Sequence, residues 1–536
     1  MIVLSYPSPV VLNSSVTDCL AAETCESLPS TASSSQRQVA GAFYSLVAPT
    51  PTNSAQLLHV NRRLAAELGF GAADLSARQF AEVMSGNALY EGMRPYATCY
   101  GGHQFGHWAG QLGDGRAINL AEVRDRDGQN RTLQLKGAGK TPYSRFADGR
   151  AVLRSSLREY MCSEAMHGLG IPTTQALSLC LSGDLVERDM FYNGHAAFEP
   201  GAIVSRVSRS FIRFGHFELP AARKEWGLLR QLCQFCLSEY FPHLEAANAG
   251  SLERAVLAMF REIAERSADL AIEWARVGFV HAVLNTDNMS IIGETIDYGP
   301  FGWLDDYNPN WTPNTSDAQH RRYRFANQPA IVQWNLWQLA NALMPIVNDA
   351  KALESVLGDF PRYYETNSLA MMRRKLGLID SHDSDAALIE TLLVNMEAAA
   401  IDMTLFFRAL SDWREERVVS VSAEWLHALS YRDDANSFDK AWTLWLGDYR
   451  DRILRESKAG EGLVLMREHN PIVTPRNFLL QEAIDALESG NPNVLEDLFS
   501  ALSQPYTDSE LTRRFARKRP DWALQRPGCA SLSCSS

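Results

Sequence analysis

The chain has 536 residues, of which 46% are hydrophobic and 21% charged, enough for two lobes that each enclose a core. Its 51 basic and 63 acidic side chains give a formal net charge of −12, which argues against nucleic acid as a partner and favours basic protein surfaces as clients. Nine scattered cysteines favour a reducing compartment, and no window of roughly 18–20 apolar residues offers a membrane span.

Residues 1–42 are predicted to form a disordered leader. The first 40 residues are rich in Ser and Thr, contain three acidic side chains and have no Lys or Arg before Arg37. This composition matches neither a secretory signal nor a mitochondrial presequence well, so we expect a cytoplasmic protein, or a mitochondrial one if the source is eukaryotic. Residues 43–92 are predicted to be a helical N-terminal extension, with LLHVNRRLAAELGF as its clearest amphipathic segment.

Residues 93–218 are predicted to form a β-rich lobe around a nucleotide-binding hairpin. The pattern predicts strands over Ala117–Val123 and Thr132–Lys136, joined by a DRDG turn. The GDGR segment at 113–116 precedes the first strand, and its glycines let backbone approach a polyphosphate closely. Lys136 would reach the same phosphates as a point charge. GDGR alone is also typical of an ordinary hairpin; its combination with Lys136 and a downstream acid favours the phosphate role.

That acid is predicted to be Glu159, in a helix over Leu153–His167 that Gly168–Pro172 ends. Kinase-like lobes use a helix carboxylate to hold the strand lysine against the nucleotide. The alternative is structural, because Ser156 and Glu159 also match an S-x-x-E capping box. A helix that begins a turn before Ser156 favours the ion pair with Lys136.

Three arginines punctuate a strand-like, aromatic run at residues 203–218. The sequence IVSRVSRSFIRFGHFE sets Arg206, Arg209 and Arg213 among apolar neighbours. Most arginine side chains lie at the surface in contact with solvent; the alternative is a bidentate contact between the guanidinium group and phosphate oxygens. The apolar neighbours of Arg206 and Arg213 predict partial burial with a partner.

The segment HAVLNTDNMSIIGETIDYGPFG, residues 281–302, predicts metal–nucleotide chemistry. Protein kinases orient the acceptor hydroxyl with the Asp of an HRDxxxxN loop, and they hold magnesium with its Asn and with the Asp of DFG. Asn288 and Asp297 match the metal-holding pair, while Val283 stands where the usual Asp would be and Asp287 lies beside the Asn. The run is also typical of a polar turn. Its strand-like flanks favour instead a hairpin, which would hold the acidic and amide oxygens at one end and on the same side.

Residues 219–520 are predicted to form a larger, mostly helical lobe that carries the metal and catalytic loop. Buried or amphipathic helices are predicted for IVQWNLWQLANALMPIV, HDSDAALIETLLVNMEAAAIDMTLFFRAL and PRNFLLQEAIDALESG. Cys233 and Cys236 have helical spacing and apolar neighbours, which favours core packing over metal binding. Residues 521–536 are predicted to be a flexible tail that contains cysteine.

Several blocks, taken in order, resemble the selenoprotein O family, the YdiU-like pseudokinases that act as protein adenylyltransferases. These blocks are YGGHQFGHWAGQLGDGRA, LQLKGAGKTPYSRFADGRAVLRSSLREY, SRVSRSFIRFGHFE, HAVLNTDNMSI, TIDYGPFGWLDDYNPNW and a terminal CSS. The resemblance runs from about Phe43 to Ser536. It implies an α+β, two-lobed protein-kinase-like fold with a small β-rich N-lobe, a larger helical C-lobe and extra peripheral helices. It also implies that ATP binds turned around relative to kinases, so that AMP passes to Ser, Thr or Tyr hydroxyls of client proteins.

The resemblance also implies roles for particular residues. Asp287 would accept the proton of the acceptor hydroxyl, and Asn288 and Asp297 would bind Mg²⁺ or Mn²⁺. Glu159 would pair with Lys136. The positions that match the family's nucleotide-contacting residues are Gly113, Gly115, Arg116, Lys136, Asp148, Gly149, Arg206, Arg213 and Asp297. With the γ-phosphate against the two arginines, the α-phosphorus would face the acceptor and pyrophosphate would leave.

The chain departs from the family pattern in its cysteines. Relatives often carry a cysteine in the loop after DYG, which pairs with one near the C-terminus and switches activity with redox state. Here Pro313 stands in that loop, and Cys534 occupies the place where some relatives have selenocysteine. Cys529 lies five residues before Cys534. A bridge between these two is one alternative, and a flexible tail with free thiols is the other.

Three hypotheses from different classes remain open. The leading one is a protein adenylyltransferase that uses ATP as its co-substrate. The second is a conventional phosphotransferase or a nucleotidyltransferase that uses UTP, and the third is a non-catalytic nucleotide-binding scaffold. We expect a monomer that acts on proteins and contacts neither nucleic acid nor membrane.

Overall fold

The computed structural model describes residues 2–5, 10–24, 34–416 and 421–533. Within these residues the strands are β1 (Ile2–Leu4), β2 (Val11–Asn13), β3 (Tyr44–Leu46), β4 (Gln56–Val60), β5 (Ala88–Tyr90), β6 (Tyr96–Thr98), β7 (His103–Gln104), β8 (His107–Trp108), β9 (Ala117–Arg124), β10 (Asn130–Lys136), β11 (Ala151–Val152), β12 (Gln175–Arg188), β13 (Ala197–Ser208), β14 (Phe279–Val280) and β15 (Gly302–Trp303). The α-helices are α1 (Ser15–Cys19), α2 (Arg62–Glu67), α3 (Ala72–Ser76), α4 (Arg78–Met84), α5 (Leu153–Gly168), α6 (Phe214–Ala222), α7 (Trp226–Tyr240), α8 (Pro242–Ala247), α9 (Leu252–Val277), α10 (Gln328–Val347), α11 (Ala350–Lys375), α12 (Asp385–Ala398), α13 (Met403–Glu416), α14 (Asp439–Ile453), α15 (Ala459–His469), α16 (Asn477–Glu488), α17 (Asn493–Ser503) and α18 (Glu510–Phe515). Most strands precede most helices, which confirms the predicted α+β class with a β-rich N-terminal lobe and a larger helical C-terminal lobe. The kinase-like arrangement of these lobes stays a prediction.

An antiparallel nine-stranded sheet forms the N-terminal lobe. Its strands run in the order β3-β6-β9-β10-β13-β12-β4, with β2 added to β9 and β11 to β13. The predicted β9–β10 hairpin lies near the centre of the sheet, and its DRDG turn is closed by a hydrogen bond of 3.0 Å from Gly128 N to Asp125 O. Strand β9 is buried along nearly its whole length, because apolar cores cover both faces of the sheet.

The N-terminal segments contribute to this sheet, which corrects two predictions. The disordered leader predicted for residues 1–42 is wrong for the part that the structure describes, because β2 pairs with β9 and α1 buries Val16. The helix predicted from LLHVNRRLAAELGF is a strand and a short helix. Strand β4 pairs with β12, and Asn61 then caps α2 by accepting a hydrogen bond of 3.1 Å from Leu64 N. The lobe boundary predicted at residue 93 therefore cuts through the sheet.

Helix α5 confirms the helix predicted around Glu159. It runs from Leu153 to Gly168 and is buried on nearly every side, because it packs against β12 and β13 and also against α16 and α17. Ser156 lies inside the first turn and not at the N-cap, which is Val152. The capping-box alternative for Glu159 is therefore wrong.

The strand-like run at residues 203–218 divides into two elements. Strand β13 ends at Ser208, and helix α6 begins at Phe214. Arg213 N donates a hydrogen bond of 3.1 Å to His216 Nδ1, which fixes the start of the helix. The strand-like interpretation is therefore wrong beyond Ser208. Because of this division, Arg206 lies on strand β13 of the sheet, whereas Arg213 lies at the start of helix α6.

The C-terminal lobe is helical, as predicted. Helix α9 is followed by the C-cap residue Gly278, whose φ of +77° permits the left-handed turn that ends the helix. Helices α10 and α16 match their predicted segments, whereas the segment 382–410 forms two helices, α12 and α13. Cys233 and Cys236 are buried in α7, which confirms that they pack in the core. Among the described helices, none has the length and apolarity that a membrane crossing needs.

The last described residues pack against the loop that follows DYG, so the flexible tail is wrong for residues 521–533. Leu532 N donates a hydrogen bond of 2.9 Å to Pro313 O, and the Leu532 side chain is fully buried. Cys529 is buried as well. Cys534 lies outside the described residues, so its bridge to Cys529 stays a prediction.

Replacing Leu532 by Ala tests this packing. Removing a fully buried leucine side chain should lower the free energy of unfolding by about 2–4 kcal/mol in urea denaturation followed by tryptophan fluorescence. Leu524→Ala is the control, because Leu524 lies in the same tail but is 52% exposed, and its change should stay within about 0.5 kcal/mol. Equal effects of the two substitutions would contradict the packed tail.

Glu294, where the two lobes meet, is expected to make folding stability depend on pH. Burial raises its pKa from 4.5 to about 7, although Ser208 Oγ donates a hydrogen bond of 2.6 Å to its Oε2. The unfolded side chain ionises first, so this group costs the folded state stability as the pH rises from about 4.5 to about 7. Glu294→Gln stays neutral and should gain about 1–3 kcal/mol relative to wild type between pH 5 and pH 8. A difference that is the same at both pH values in urea unfolding would contradict this expectation.

Candidate functional site

A cleft of about 640 Å³ between the sheet and the helical lobe brings the predicted site residues together. Those that line it are Gly113, Gly115, Arg116, Lys136, Asp148, Gly149, Arg206, Arg213, Asp287, Asn288 and Asp297. Glu159 stands behind the cleft wall, in contact with Lys136. Basic side chains outnumber acidic ones in the lining by seven to four, so the cleft suits a polyanion.

Glycine is required at two turns of the cleft wall. Gly113 has a φ of +135°, and a Cβ there would lie 2.5 Å from Cγ of Tyr143. Gly149 has a φ of +72°, and a Cβ there would lie 2.2 Å from the carbonyl oxygen of Gly139. Both positions exclude a side chain, so at these two turns the wall is backbone, which can approach a bound phosphate closely.

Lys136 is held in the cleft wall by Glu159. Its Nζ lies 2.6 Å from Oε2 of Glu159, and both side chains are less than 10% exposed. The other carboxylate oxygen, Oε1, accepts a hydrogen bond of 3.0 Å from Nη1 of Arg206. Burial lowers the pKa of Lys136, and the Glu159 carboxylate opposes that shift. The ion pair predicted from the sequence is confirmed.

Two buried arginines neutralise Asp297 of the DYG triplet. Arg206 Nη1 donates a hydrogen bond of 2.5 Å to Oδ1 of Asp297, and Arg213 Nη1 donates one to Oδ2. Burial acts to raise the pKa of Asp297, but Arg213 and Arg206 outweigh burial and hold it well below its usual range. The side chains of Arg206 and Arg213 are 2% and 1% exposed, so the predicted burial with a partner is confirmed.

The loop before Asp297 does not form the predicted hairpin. Strand β14 pairs with β15, while Thr286–Asn288 forms one turn of 3₁₀ helix. Ser290, on the far side of this turn, bridges instead to Arg213. The local pattern of apolar residues could not show that these residues pair with partners outside the predicted hairpin. The turn still places Asp287 and Asn288 in the same cleft as Asp297.

Asp287 is a buried carboxylate at the edge of the cleft. Its Oδ2 accepts a hydrogen bond of 3.0 Å from Nε2 of Gln104. Burial raises the pKa of Asp287 to about 6, although Gln104 and Arg213 act to lower it. At neutral pH the carboxylate is therefore mostly ionised and able to accept a hydrogen bond from a hydroxyl group.

Asn288 and Asp297 offer oxygen ligands that fit Mg²⁺ or Mn²⁺. Asn288 Nδ2 donates a hydrogen bond of 2.7 Å to Val283 O, which leaves the amide oxygen for a cation. Each Asp297 oxygen keeps a lone pair beyond its arginine bond. Carboxylate and amide oxygens are the donors that these cations prefer, and Mg²⁺ commonly completes its shell with phosphate oxygens and water. Among the described residues, no cluster of three or more His, Cys, Asp or Glu side chains is placed to hold a metal ion.

Gln104 and Arg188 are two of the cleft residues that sequence reasoning missed. Gln104 contacts Asp287 and lies in the GGHQFGHW block, but a glutamine in a glycine-rich loop carries no signal of its own. Arg188 makes two hydrogen bonds, of 2.7 and 2.8 Å, to the carboxylate of Asp148. Asp148, matched to a nucleotide-contacting position, therefore has a protein partner already.

The family model and the most similar sequences agree with one another over most of the chain. The family model described as "Protein adenylyltransferase SelO" matches residues 26–503. A relative from Azoarcus sp. (strain BH72), named protein nucleotidyltransferase YdiU, is 50% identical over 503 residues, which cover 93% of this chain and 95% of the relative. Relatives of the same name from Xanthomonas campestris pv. campestris (strain B100) and Rhodopirellula baltica are 52% and 48% identical, each over at least 92% of this chain and 95% of the relative. Among solved structures, ROP2 from Toxoplasma gondii, described as a virulence factor with a protein-kinase fold and no enzymatic activity, matches with a TM-score of 0.24 and 13% identity, over 56% of this chain and 86% of that chain.

Replacing Glu159 by Gln tests the pairing of Lys136. The substitution removes the carboxylate that holds Lys136 in place, so we expect ATP to bind at least about tenfold more weakly in calorimetry. We also expect lower stability in thermal unfolding, because breaking a buried ion pair costs about 3–5 kcal/mol. This is a larger loss than a helix cap alone would give.

Glu164→Gln is the matched control. Glu164 is buried one turn further along α5 and accepts a hydrogen bond of 2.6 Å from Asn61, away from the cleft. The control should lose stability but keep its affinity for ATP. Equal losses of ATP affinity in both variants would contradict a specific role of Glu159.

Proposed function

The chain belongs to the protein adenylyltransferase SelO family of nucleotidyltransferases, and from that premise we propose that it transfers AMP from ATP to Ser, Thr or Tyr hydroxyls of client proteins. In this reaction the acceptor oxygen bonds to the α-phosphorus. The bond between that phosphorus and the α–β bridging oxygen breaks, and pyrophosphate leaves with the electron pair. The hydroxyl proton passes to the carboxylate of Asp287 or to water.

One observation carries the proposal: two arginines that line the cleft are almost completely buried. Arg206 and Arg213 supply fixed positive charge to the cleft wall. The terminal phosphate carries the most negative charge of a triphosphate, so it is the group that these arginines would hold best. A triphosphate bound with that end inward would turn its α-phosphorus towards an acceptor, as nucleotidyl transfer requires.

The residues around the phosphates have separable tasks. Lys136, aligned by Glu159, would contact phosphate oxygens, and the glycine turns at Gly113 and Gly149 would let backbone reach them. Asp287 would accept a hydrogen bond from the hydroxyl and orient it, because its pKa of about 6 is still far below that of an alcohol. Mg²⁺ or Mn²⁺, held by Asn288 and Asp297, would supply charge neutralisation when bound.

The proposal names ATP as the co-substrate and proteins with an accessible hydroxyl as the acceptors. The formal net charge of −12 supports clients with basic surfaces.

Labelled ATP tests the proposal directly. The protein is incubated with Mn²⁺ and a basic test protein, with ATP labelled at the α-phosphate or, separately, at the γ-phosphate. We expect protein-bound label from the α position only, together with an intact-mass increase of one AMP. Asp287→Asn should slow transfer by about 10²–10⁴-fold while ATP still binds. Asp127→Asn, at the exposed hairpin turn, should transfer at the wild-type rate.

The other outcomes identify the competing functions. Label from the γ position only would establish a phosphotransferase and overturn the proposal. ATP binding without label from either position, on the test protein or on the enzyme itself, would favour the non-catalytic scaffold. Transfer from UTP but not from ATP would keep nucleotidyl transfer and overturn the choice of AMP.

A further inference from the structure

Residues 101–108 form a short hairpin against the loop that carries Asp287, and we call it the bridging hairpin. Its strands β7 and β8 are joined through Phe105 and Gly106, whose φ angles are +51° and +87°. Two successive residues with positive φ make a tight turn that matches the twist of a hairpin. Gln104, the last residue of β7, therefore stands on a defined element of structure.

The base of the bridging hairpin is fixed to the start of the helical lobe. Gly101 N donates a hydrogen bond of 2.9 Å to Gly215 O. A Cβ at Gly215 would lie 2.1 Å from the Gly101 oxygen, so the two backbones are in direct contact. His103 Nδ1 shares a short hydrogen bond with the buried carboxylate of Glu218. Both anchors lie on α6, immediately after Arg213.

Three consecutive residues of the bridging hairpin, 103–105, also donate hydrogen bonds to residues 285–287, which we call the catalytic loop. The three hydrogen bonds are His103 N to Thr286 Oγ1 (2.7 Å), Gln104 Nε2 to Asp287 Oδ2 (3.0 Å) and Phe105 N to Asn285 Oδ1 (3.2 Å). Two of them use hairpin backbone, so they fix the distance between hairpin and loop. The Gln104 bond is the only one of the three donated by a side chain.

The two oxygens of Asp287 lie in different surroundings. Oδ1 is buried and has no hydrogen-bond partner among the described residues, and a Cβ at Gly102 would lie 3.0 Å from it. The bridging hairpin thus covers Oδ1 and leaves Oδ2 as the oxygen that can meet an acceptor. Oδ2 accepts one bond from Gln104 and keeps a further lone pair.

We propose that Gln104 is a positioning residue, which holds the carboxylate of Asp287 so that Oδ2 faces the acceptor hydroxyl. This inference rests on the proposed transfer to a hydroxyl group. Gln104 acts through the carboxylate of Asp287, to which it donates its hydrogen bond. It acts by restricting rotation of the carboxylate, which backbone contacts of the hairpin cannot do.

A double-mutant cycle tests the role of Gln104. Gln104→Ala should lower kcat for AMP transfer by about 10- to 100-fold, the worth of one hydrogen bond to a charged group. The Kd for ATP should change by less than about threefold, because the lost hydrogen bond orients Asp287 towards the acceptor hydroxyl and does not contact ATP. In the Asp287→Asn background, Gln104→Ala should cause no further loss, since the two residues act as a unit.

Gln111→Ala is the matched control. Gln111 lies in the same glycine-rich segment and accepts a hydrogen bond of 2.8 Å from Val39 N, outside the catalytic loop. It should keep the wild-type kcat. Additive losses in the cycle, or a wild-type kcat for Gln104→Ala, would overturn the positioning role even if the enzyme transfers AMP. A wild type that transfers no AMP would overturn the proposed function instead.

A crystal structure of the Gln104→Ala protein keeps the test independent of the group transferred. The carboxylate of Asp287 should rotate or spread over more than one rotamer, while the backbone bonds of His103 and Phe105 stay in place. An Asp287 side chain in its present orientation, with clear density, would overturn the inference whatever the assays give.

Discussion

A buried cluster of charges at the centre of the molecule holds its parts in register. Its members are Lys136, Glu159, Arg206, Arg213 and Asp297. They come from the sheet, from helix α5, from the start of α6 and from the DYG triplet. An arginine or carboxylate buried without a partner costs several kcal/mol, so each of these elements has to stay within a hydrogen-bond length of the others. The fold and the cleft thus depend on the same few contacts.

The cleft divides its work between backbone and side chains. Glycine turns at Gly113 and Gly149 bring main chain to the ligand, because no Cβ fits there. The bridging hairpin likewise holds the catalytic loop by main-chain donors. The side chains supply the charges that face the phosphates, and Gln104 orients Asp287. This division agrees with the proposed chemistry, in which the protein positions and neutralises phosphates and forms no covalent bond of its own.

The sequence predicted the charged pairs of the site better than the placement of its elements. Lys136 and Glu159 were found because a strand and a helix with strong local patterns each carry one charge. The strand β4 was mistaken for helix, since LLHV acquires its conformation from pairing with β12 far along the chain. Gln104 was missed for the same reason: its partner Asp287 is 183 residues away, and no local pattern announces the contact.

The pairing of Leu532 with the loop after DYG has a consequence for how the protein is made. Thr315 Oγ1 donates a hydrogen bond to Leu532 O across 217 positions of sequence. A ribosome builds the chain from the N-terminus at about 5–20 residues per second, so the N-terminal sheet can assemble while the partner of this loop is still unmade. The loop after DYG is thus among the last parts to reach its final packing, and a nascent chain that stalls before this point would leave that loop without its partner.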